Sequence, residues 1–286
     1  MQSQTRTRQV QLFKTAISNY EISAGVKIQR IPGSYLLRIM KPWIQARVAE
    51  DEAGRDPDRL DPQAYKPNDD DAVVDAIFNF RTIFSACDAK NVDMFGAAEA
   101  LAEIVWEHGA DASAALFLAW KVGHDGGLRC VGALTICKSY ERSDLGTSSD
   151  IVREEDHAVL KPYFNRTLFI DGVCSTSKGT GRALVMNAVK FAVSKKDCKG
   201  VLCLSFSTKK LQNGTYPESY GLFTKLHFDT VIEKGRFKPT GHHGSWMYLS
   251  LDDVPFNAFL EQAISVCARR GFTAKTHSTY VSRCPA

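Results

Sequence analysis

One stretch of the sequence, residues 168–192, constrains the fold more than any other. An apolar run typical of a β-strand, 167–174, leads into a short loop that contains Lys178, Gly179 and Gly181. Apolar residues then recur at helical spacing, namely Leu184, Val185, Ala188, Val189 and Ala192. This order predicts a strand, a tight turn and a helix from 181 to about 194, and therefore a sheet with helices packed on it.

Periodicity in the rest of the chain extends this prediction to a mixed α/β sheet. Two helices precede the strands, and the turn between the first two strands is rich in glycine, which is typical of a β-hairpin. No internal repeat is present. The predicted elements are helices at 72–84 and 93–108, strands at 114–122, 128–137 and 167–174, a helix from 181 to about 194, a strand at 201–206, a helix at 217–226, strands at 228–233 and 245–251, and a helix at 255–270.

Composition divides the chain into three parts. Residues 1–71 form an N-terminal extension and polar linker, in which Phe13 and Ile17 lie on one face of a predicted helix and 35–40 can supply a first strand. Residues 48–71 are rich in Asp, Pro and Arg without periodicity, which predicts an exposed loop. Residues 72–254 form the patterned domain, and 255–286 form a C-terminal helix and tail.

Bulk properties favour a soluble cytoplasmic protein. The hydrophobic share of 44% supports a packed core, while the mean hydropathy of −0.21 predicts no membrane association. A net charge of +4 without a dense basic stripe indicates no nucleic-acid partner. Eight cysteines without a Cys-x-x-Cys pair favour a reducing compartment and no metal site. The N-terminus lacks acidic residues before Glu21, so a transit peptide is the alternative to an ordinary helix there.

The glycine-containing loop suits a phosphate or pyrophosphate group. Glycines at a strand-to-helix turn let backbone N–H groups point into an open concavity, and the helix N-terminus behind them carries a partial positive charge. Lys178 and Arg182 can add charge-assisted hydrogen bonds. The Walker pattern is absent because no Gly-Lys-Ser/Thr occurs here, and the dinucleotide pattern fails because Leu184 stands where its third glycine belongs.

The segment 177–184, Ser-Lys-Gly-Thr-Gly-Arg-Ala-Leu, resembles the pyrophosphate loop of the GNAT superfamily of acyltransferases, Gln/Arg-x-x-Gly-x-Gly/Ala. The segment 220–228, Tyr-Gly-Leu-Phe-Thr-Lys-Leu-His-Phe, is similar to the family's later helix that ends in Leu-Gly-Phe. Together with the order of elements, the resemblance covers roughly residues 72–251. It departs from the family at Thr176 (usually Gln or Arg), at His227 (usually Gly) and at Phe223 (often Tyr).

The resemblance implies a GNAT-like acyl-CoA N-acyltransferase fold in which two strands splay apart beside the loop, often through a bulge. It implies acetyl-CoA as co-substrate, no metal, transfer of the acetyl group to an amine on a small molecule or a protein, and a homodimer, since many relatives dimerise. The residues implied to hold the cofactor are Val173, Cys174, Ser175, Ser177, Lys178, Gly179, Thr180, Gly181 and Arg182.

Two residues are candidates for proton transfer. Asp171 interrupts an otherwise apolar strand and is the candidate general base; the alternative is a carboxylate on the outer face or bonded to a neighbouring strand. Tyr220 lies one helical turn before Phe223 and is the candidate general acid; the alternative is a packing role. Because Thr176 and Phe223 depart from the family, a second hypothesis is a degenerate domain that binds coenzyme A or a protein partner without turnover. A third is that the loop binds another phosphate ligand or none.

For the weaker candidate residues, an ordinary structural role is an alternative to a functional one. Cys174 suits a small core residue better than a nucleophile. Glu218 suits a partner of the helix dipole, and Tyr216 has a weaker claim than Tyr220. His242 and His243 are predicted to lie in a substrate-binding or exposed loop. Lys209 and Lys210 suit either a ribose phosphate or solvent. We expect acceptor specificity to reside in 139–166 and in the N-terminal extension.

Overall fold

The computed structural model describes residues 2–68, 71–79, 112–138, 154–164, 166–206, 218–236 and 243–269. Within these residues seven strands form one sheet in the order β1-β2-β3-β4-β5-β7-β6. The strands are β1 (Lys27–Pro32), β2 (Ala115–Val122), β3 (Leu128–Lys138), β4 (Thr167–Ser175), β5 (Gly200–Phe206), β6 (Asp229–Arg236) and β7 (His243–Ser250). The helices are α1 (Gln2–Ala24), α2 (Gly33–Glu52), α3 (Ala72–Phe78), α4 (Glu154–Phe164), α5 (Thr180–Val193), α6 (Glu218–Thr224) and α7 (Asp253–Arg269).

The sheet combines antiparallel pairs with one parallel pair. Strands β1 to β4 are successive antiparallel neighbours, and β5, β7 and β6 form a second antiparallel set. Strand β4 runs parallel to β5, and α5 makes the crossover that two parallel neighbours require. The predicted class, a mixed α/β sheet with helices packed on it, is confirmed.

Most predicted elements are present with each end within three residues of the prediction. The helix predicted at 72–84 is described as α3 up to its C-cap at Asn79, and its remaining residues and the helix predicted at 93–108 lie outside the described residues. Within the predicted loop at 48–71, 48–52 complete α2, and short 3-10 helices occur at Pro57–Arg59 and Pro62–Tyr65. Helix α4 lies inside the insertion 139–166 and had no sequence-based prediction.

The strand predicted at 35–40 is wrong, because those residues lie in α2. The buried side chains of this helix are Leu36, Ile39, Met40, Trp43 and Ile44, which is the spacing of one helical face. A six-residue run that is apolar apart from Arg38 fits a strand as well as a helix, so the pattern over 35–40 alone could not separate them. The extension supplies a strand earlier, as β1, which pairs with β2.

The two faces of the sheet carry different helices. The cluster on one face joins α1, α5, α6 and α7 to residues such as Leu134 and Ile170. On the other face, α2 and α3 pack over Ala133 and Cys174, and α4 packs over Phe169 and its neighbours. Helix α5 is deeply placed, with ten buried residues among its fourteen. Its N-terminus is therefore held rigidly where β4 ends.

The first and last helices pack against each other on the α5 face. The ring of Phe13 in α1 makes edge-on contacts with Phe256 and Phe259 of α7, at centroid distances of 5.8 and 5.2 Å. Phe13 and Ile17 are fully buried, so the predicted apolar face of the N-terminal helix is confirmed at these two residues. Such aromatic pairs stabilise a helix contact beyond the area they bury.

Close approach of β3 to β4 depends on Gly132. A Cβ atom at this position would lie 2.7 Å from the carbonyl oxygen of Cys174 and 3.1 Å from the Cγ2 atom of Thr180. We expect Gly132→Ala to lower the free energy of unfolding by about 1–3 kcal/mol, because a backbone atom must move to admit the methyl group. Thermal unfolding followed by circular dichroism measures the change.

Gly221→Ala is the matched control for this substitution. No atom lies within 4 Å of a Cβ at Gly221, which sits inside α6, where alanine favours the helix. We expect this variant to melt at or slightly above the temperature of the unsubstituted protein. A Gly132→Ala variant that melts at the same temperature as Gly221→Ala would contradict the close approach.

Candidate functional site

Strands β4 and β5 separate halfway along their length. They pair from Thr167 opposite Gly200 to Ile170 opposite Cys203, and the pairing then stops. Beyond this point β4 remains paired with β3, and β5 remains paired with β7. In the part of the chain that the structure describes, no strand fills the gap. The sheet therefore contains a V-shaped opening whose narrow end lies at Ile170 and Cys203.

A β-bulge marks the narrow end of this opening. Thr135 of β3 is opposite Gly172, but the next residue, Ile136, is opposite Ile170, so Asp171 is an extra residue on β4. The N–H group of Gly172 donates to the hydroxyl oxygen of Thr135 at 3.1 Å. A bulge bends its strand and re-aims the groups beside it. Asp171, the predicted general base, is half-buried at this bend.

Beyond the bulge, alternate residues of β4 direct their backbone groups into the opening. The N–H groups of Gly172 and Thr176 bond to β3, at Thr135 and Val131. Because successive residues of a strand direct these groups to opposite sides, Val173 and Ser175 present theirs to the opening. Cys174 directs its own toward β3, and its thiol is buried among side chains of the α2 and α3 face. Its surroundings are those of a core residue.

The loop after β4 forms a turn that ends at the helix. The N–H group and the hydroxyl of Thr176 both bond to the carbonyl of Val131, at 2.9 and 3.2 Å. Thr180 then donates its N–H to the carbonyl of Ser177 at 3.1 Å. Gly179 has a φ of +87°, in the left-handed region that favours glycine, and α5 begins at the next residue. A left-handed residue beside a helical one turns successive N–H groups into a concavity for an anion.

Several polar groups at the N-terminus of α5 lack partners within the described ranges. The N–H groups of Gly181 and Arg182 bond to no described acceptor, and the buried hydroxyl of Thr180 has no described partner. Lys178 is exposed beside them and Arg182 is half-buried. An anionic ligand is favoured by these unpaired N–H groups, by the positive end of the helix dipole and by two nearby cations.

A third cation, which the sequence did not indicate, reaches this loop from β2. The ammonium of Lys121 donates to the hydroxyl oxygen of Ser177 at 2.5 Å. Arg129, opposite Lys121 on β3, is already bonded to the carboxylate of Asp125 at 2.6 Å. Among the residues that the structure describes, Lys121 has no carboxylate partner. Its closeness to Ser177 follows from the register of the β2–β3 hairpin together with the path of the loop, which the sequence pattern does not show.

Helix α1 contacts the same loop from the other side. The hydroxyl of Tyr20 donates to the carbonyl oxygen of Gly179 at 3.2 Å. Next to it, the carboxylate of Glu21 accepts a hydrogen bond from the Asn187 amide in α5 at 2.7 Å. Burial raises the pKa of Glu21 above its ordinary value, although Asn187 and the charge of Lys190 act in the opposite direction. The sequence pattern gave no indication of these contacts.

Helix α6 carries the residues that resemble the family's later helix. Phe223 is 2% exposed and packs its ring on Phe228 at a centroid distance of 5.0 Å, so it belongs to the core. The hydroxyl of Tyr220 lies 3.3 Å from the Oγ1 atom of Thr230 in β6. His227 has a φ of +60° just after the helix, which explains why a glycine suits this position in the family.

The remaining candidate residues either begin a described element or lie outside the described residues. Glu218 begins α6 and His243 begins β7. Tyr216, Lys209, Lys210 and His242 lie outside the described residues. Within the described ranges, no group of three or more His, Cys, Asp or Glu residues is placed to hold a metal ion. In the same ranges, no helix has both the length and the apolar character needed to span a membrane.

No protein-family model matches the sequence, and no curated protein sequence matches it. Several solved structures are similar to part of this chain. The complex of NAA60 from Arabidopsis thaliana with acetyl-CoA is 12% identical, with 62% of this chain and 95% of that chain covered and a TM-score of 0.42. The aminoglycoside 6′-N-acetyltransferase from Enterococcus faecium is 14% identical, covering 65% and 95%, with a TM-score of 0.38. The GNAT-like decarboxylase GphF in complex with isobutyryl-CoA is 14% identical, covering 61% and 94%, with a TM-score of 0.41.

Three features that the resemblance implied are present in the described residues of this chain. The splayed pair β4 and β5, the bulge at Asp171 and the glycine loop before α5 are the features that the resemblance implied. They occur together on one strand and its connection to one helix.

Proposed function

We propose that this chain, whose fold is GNAT-like, is an N-acetyltransferase that moves an acetyl group from acetyl-CoA to an amine. One observation carries the proposal: a single strand, β4, has an open edge beyond a bulge and leads directly into an anion-binding helix N-terminus. Coenzyme A has matching chemistry, with an amide-containing pantetheine arm that ends in a pyrophosphate.

The donor would lie along the open edge of β4. The backbone groups of Val173 and Ser175 would hydrogen-bond the amides of the pantetheine arm as a neighbouring strand does. The pyrophosphate would lie at the N–H groups of Gly181 and Arg182, with Gly179 keeping the turn open. Lys121, Lys178 and Arg182 would supply compensating positive charge.

Acetyl transfer would then follow from proximity and proton removal. The amine nitrogen attacks the thioester carbonyl carbon, the carbon–sulfur bond breaks, and the sulfur leaves with the electron pair. A backbone N–H at the open edge would stabilise negative charge on the carbonyl oxygen. An ammonium substrate must first lose a proton, and Asp171, directly or through water, is the proposed acceptor of that proton.

Protonation of the departing sulfur depends less on a side chain than proton removal from the ammonium does. Tyr220 is the proposed donor, and its hydroxyl would have to turn from Thr230 to reach the sulfur. A thiol has a pKa of about 8.5, so a released thiolate takes a proton from water at neutral pH without help. A missing tyrosine at Phe223 is therefore compatible with turnover.

The second candidate function is binding of coenzyme A without turnover. The burial of Phe223 in the core favours it, because this position offers no acidic proton. Release of free thiol from acetyl-CoA in the presence of amines separates the two functions: an acyltransferase releases it with at least one acceptor, and a binding domain releases it with none.

The acceptor and the assembly are separate proposals. We propose an amine on a small molecule or on a protein as the acceptor, and a homodimer as the assembly. Specificity would reside partly in the insertion that contains α4. This helix packs through Leu160 and Phe164 on the face of the sheet opposite α5, which leaves the α5 face to the donor.

The donor assignment is tested by ligand-dependent thermal unfolding. Acetyl-CoA at about one hundred times its Kd stabilises a protein by about 2.7 kcal/mol. We expect this stabilisation with the unsubstituted protein and its loss with Gly181→Asp, which places an anion where the pyrophosphate would lie. ATP and NAD serve as ligand controls and should give no comparable stabilisation.

Gly181→Ala is the matched variant for this experiment. A Cβ at this position meets the hydroxyl oxygen of Ser175 at 3.4 Å and Leu222 at 3.5 Å, which is ordinary contact. The family's loop also accepts alanine at this position. We expect Gly181→Ala to keep the acetyl-CoA response. A folded Gly181→Asp variant with unchanged affinity would refute the loop assignment.

The charge of Lys121 gives an independent test of the donor site. We expect Lys121→Met to raise the Kd for acetyl-CoA by about tenfold, since charge-assisted hydrogen bonds are the strong ones. Lys121→Arg should keep most of the affinity. Lys196→Met, an exposed lysine beyond the far end of α5, is the control and should leave the Kd unchanged. Titration calorimetry at fixed ionic strength measures all three, and equal Kd values for Lys121→Met and Lys196→Met would exclude this role.

The general-base proposal concerns turnover rather than binding. We expect Asp171→Asn to lower kcat by about 10²–10⁴-fold and to remove the acidic limb of the pH–rate profile, while the Kd for acetyl-CoA stays within about twofold. Asp197→Asn, at an exposed position between α5 and β5, is the control. The assignment fails if Asp171→Asn turns over at the same rate as the unsubstituted protein across the pH range.

A further inference from the structure

Helix α1 reaches the donor loop from a part of the chain that the resemblance to the GNAT superfamily, over roughly 72–251, does not cover. Tyr20, which is 2% exposed, donates its hydroxyl proton to the carbonyl oxygen of Gly179. The two residues are 159 positions apart in the chain. The loop is thus held from outside the strand and helix that form it.

The carbonyl that Tyr20 contacts belongs to the peptide that decides the shape of the loop. This peptide joins Gly179, at a φ of +87°, to Thr180, the first residue of α5. Its carbonyl also accepts the N–H group of Ala183 at 3.2 Å. Two donors that converge on one oxygen fix the rotation of the peptide plane. That rotation sets the directions of the N–H groups that follow at the start of α5, which form the concavity for the anion.

The position of Tyr20 is itself fixed by its neighbours. Phe13 and Ile17, earlier on the same helix, are fully buried, and Phe13 packs on Phe256 and Phe259. One residue after Tyr20, the carboxylate of Glu21 accepts from Asn187, two turns into α5. Adjacent residues of α1 therefore hold α5 at Gly179, the residue just before its first turn, and at Asn187 in its second turn. Side-chain donors held this firmly do not reorganise when a ligand binds.

We propose that Tyr20 is a positioning residue for the donor pyrophosphate, so that helix α1 forms part of the coenzyme A site. This inference rests on the proposed function. The hydroxyl of Tyr20 does not touch the donor; it holds the Gly179 peptide in the orientation in which the loop N–H groups receive a phosphate. A GNAT-like core without this helix would bind coenzyme A less tightly for lack of this hydrogen bond.

Tyr20→Phe is the direct test, because it removes the hydroxyl and keeps the buried ring. We expect the Kd for coenzyme A, measured by titration calorimetry below the melting temperature, to rise about threefold to tenfold, the size of one hydrogen bond. With an amine acceptor that supports turnover, the KM for acetyl-CoA should rise by a similar factor while kcat is retained, because the reacting end of the site is untouched.

Ile77→Val is the control for a merely structural loss of stability. Ile77 is 2% exposed in α3, on the face of the sheet opposite α5, so this substitution should lower the melting temperature and leave the Kd for coenzyme A unchanged. The inference is overturned if Tyr20→Phe binds coenzyme A as tightly as the unsubstituted protein, or if Ile77→Val weakens binding as much as Tyr20→Phe. If the unsubstituted protein itself fails to bind coenzyme A, the proposed donor is wrong, a different result from an unchanged Kd in Tyr20→Phe.

Discussion

Everything proposed for this protein depends on the place where β4 and β5 stop pairing. A parallel pair inside a sheet normally continues along its length, because unpaired backbone groups away from water are costly. Here the pair ends after Ile170 and Cys203, yet neither strand is left alone, since β3 and β7 continue to support them. The opening is therefore a stable gap in a continuous sheet. Its exposed edge, at Val173 and Ser175, needs hydrogen-bonding partners, and a ligand with amide groups can supply them.

Positive charge at the end of this edge comes from three separate elements. Lys121 belongs to β2, Lys178 to the loop and Arg182 to α5, and the helix dipole of α5 adds to the same field. The carboxylate closest in the hairpin, Asp125, is occupied by Arg129. Like charges gathered around a loop repel one another, and an anion with more than one negative charge relieves that repulsion. A pyrophosphate fits this electrostatic arrangement better than a neutral ligand does.

The sequence predicted what is local and missed what is distant. Strands β2 to β5 and helix α5 follow from apolar periodicity, and the loop follows from two glycines beside a basic residue. The contacts of Lys121 with Ser177 and of Tyr20 with Gly179 span 56 and 159 residues, and no periodic pattern encodes them. The strand wrongly predicted at 35–40 failed for another reason: its apolar run is too short for a period of 2 to be separated from one of 3.6.

The departures from the family pattern have different physical weights. Thr176 replaces a longer polar side chain, but its hydroxyl and N–H both bond to Val131 and so still anchor the loop to β3. Phe223 stands where the family often has a tyrosine that protonates the leaving thiolate. Water can perform this step, because a thiolate of ordinary pKa is protonated readily at neutral pH. Deprotonating an ammonium is the harder step, since amines of the lysine type have a pKa of about 10.4. The residue that decides between turnover and mere binding is therefore the base. The bulge that introduces the extra residue Asp171 lies where the strands part, so a single irregularity in β4 both marks the narrow end of the opening and places the proposed base there.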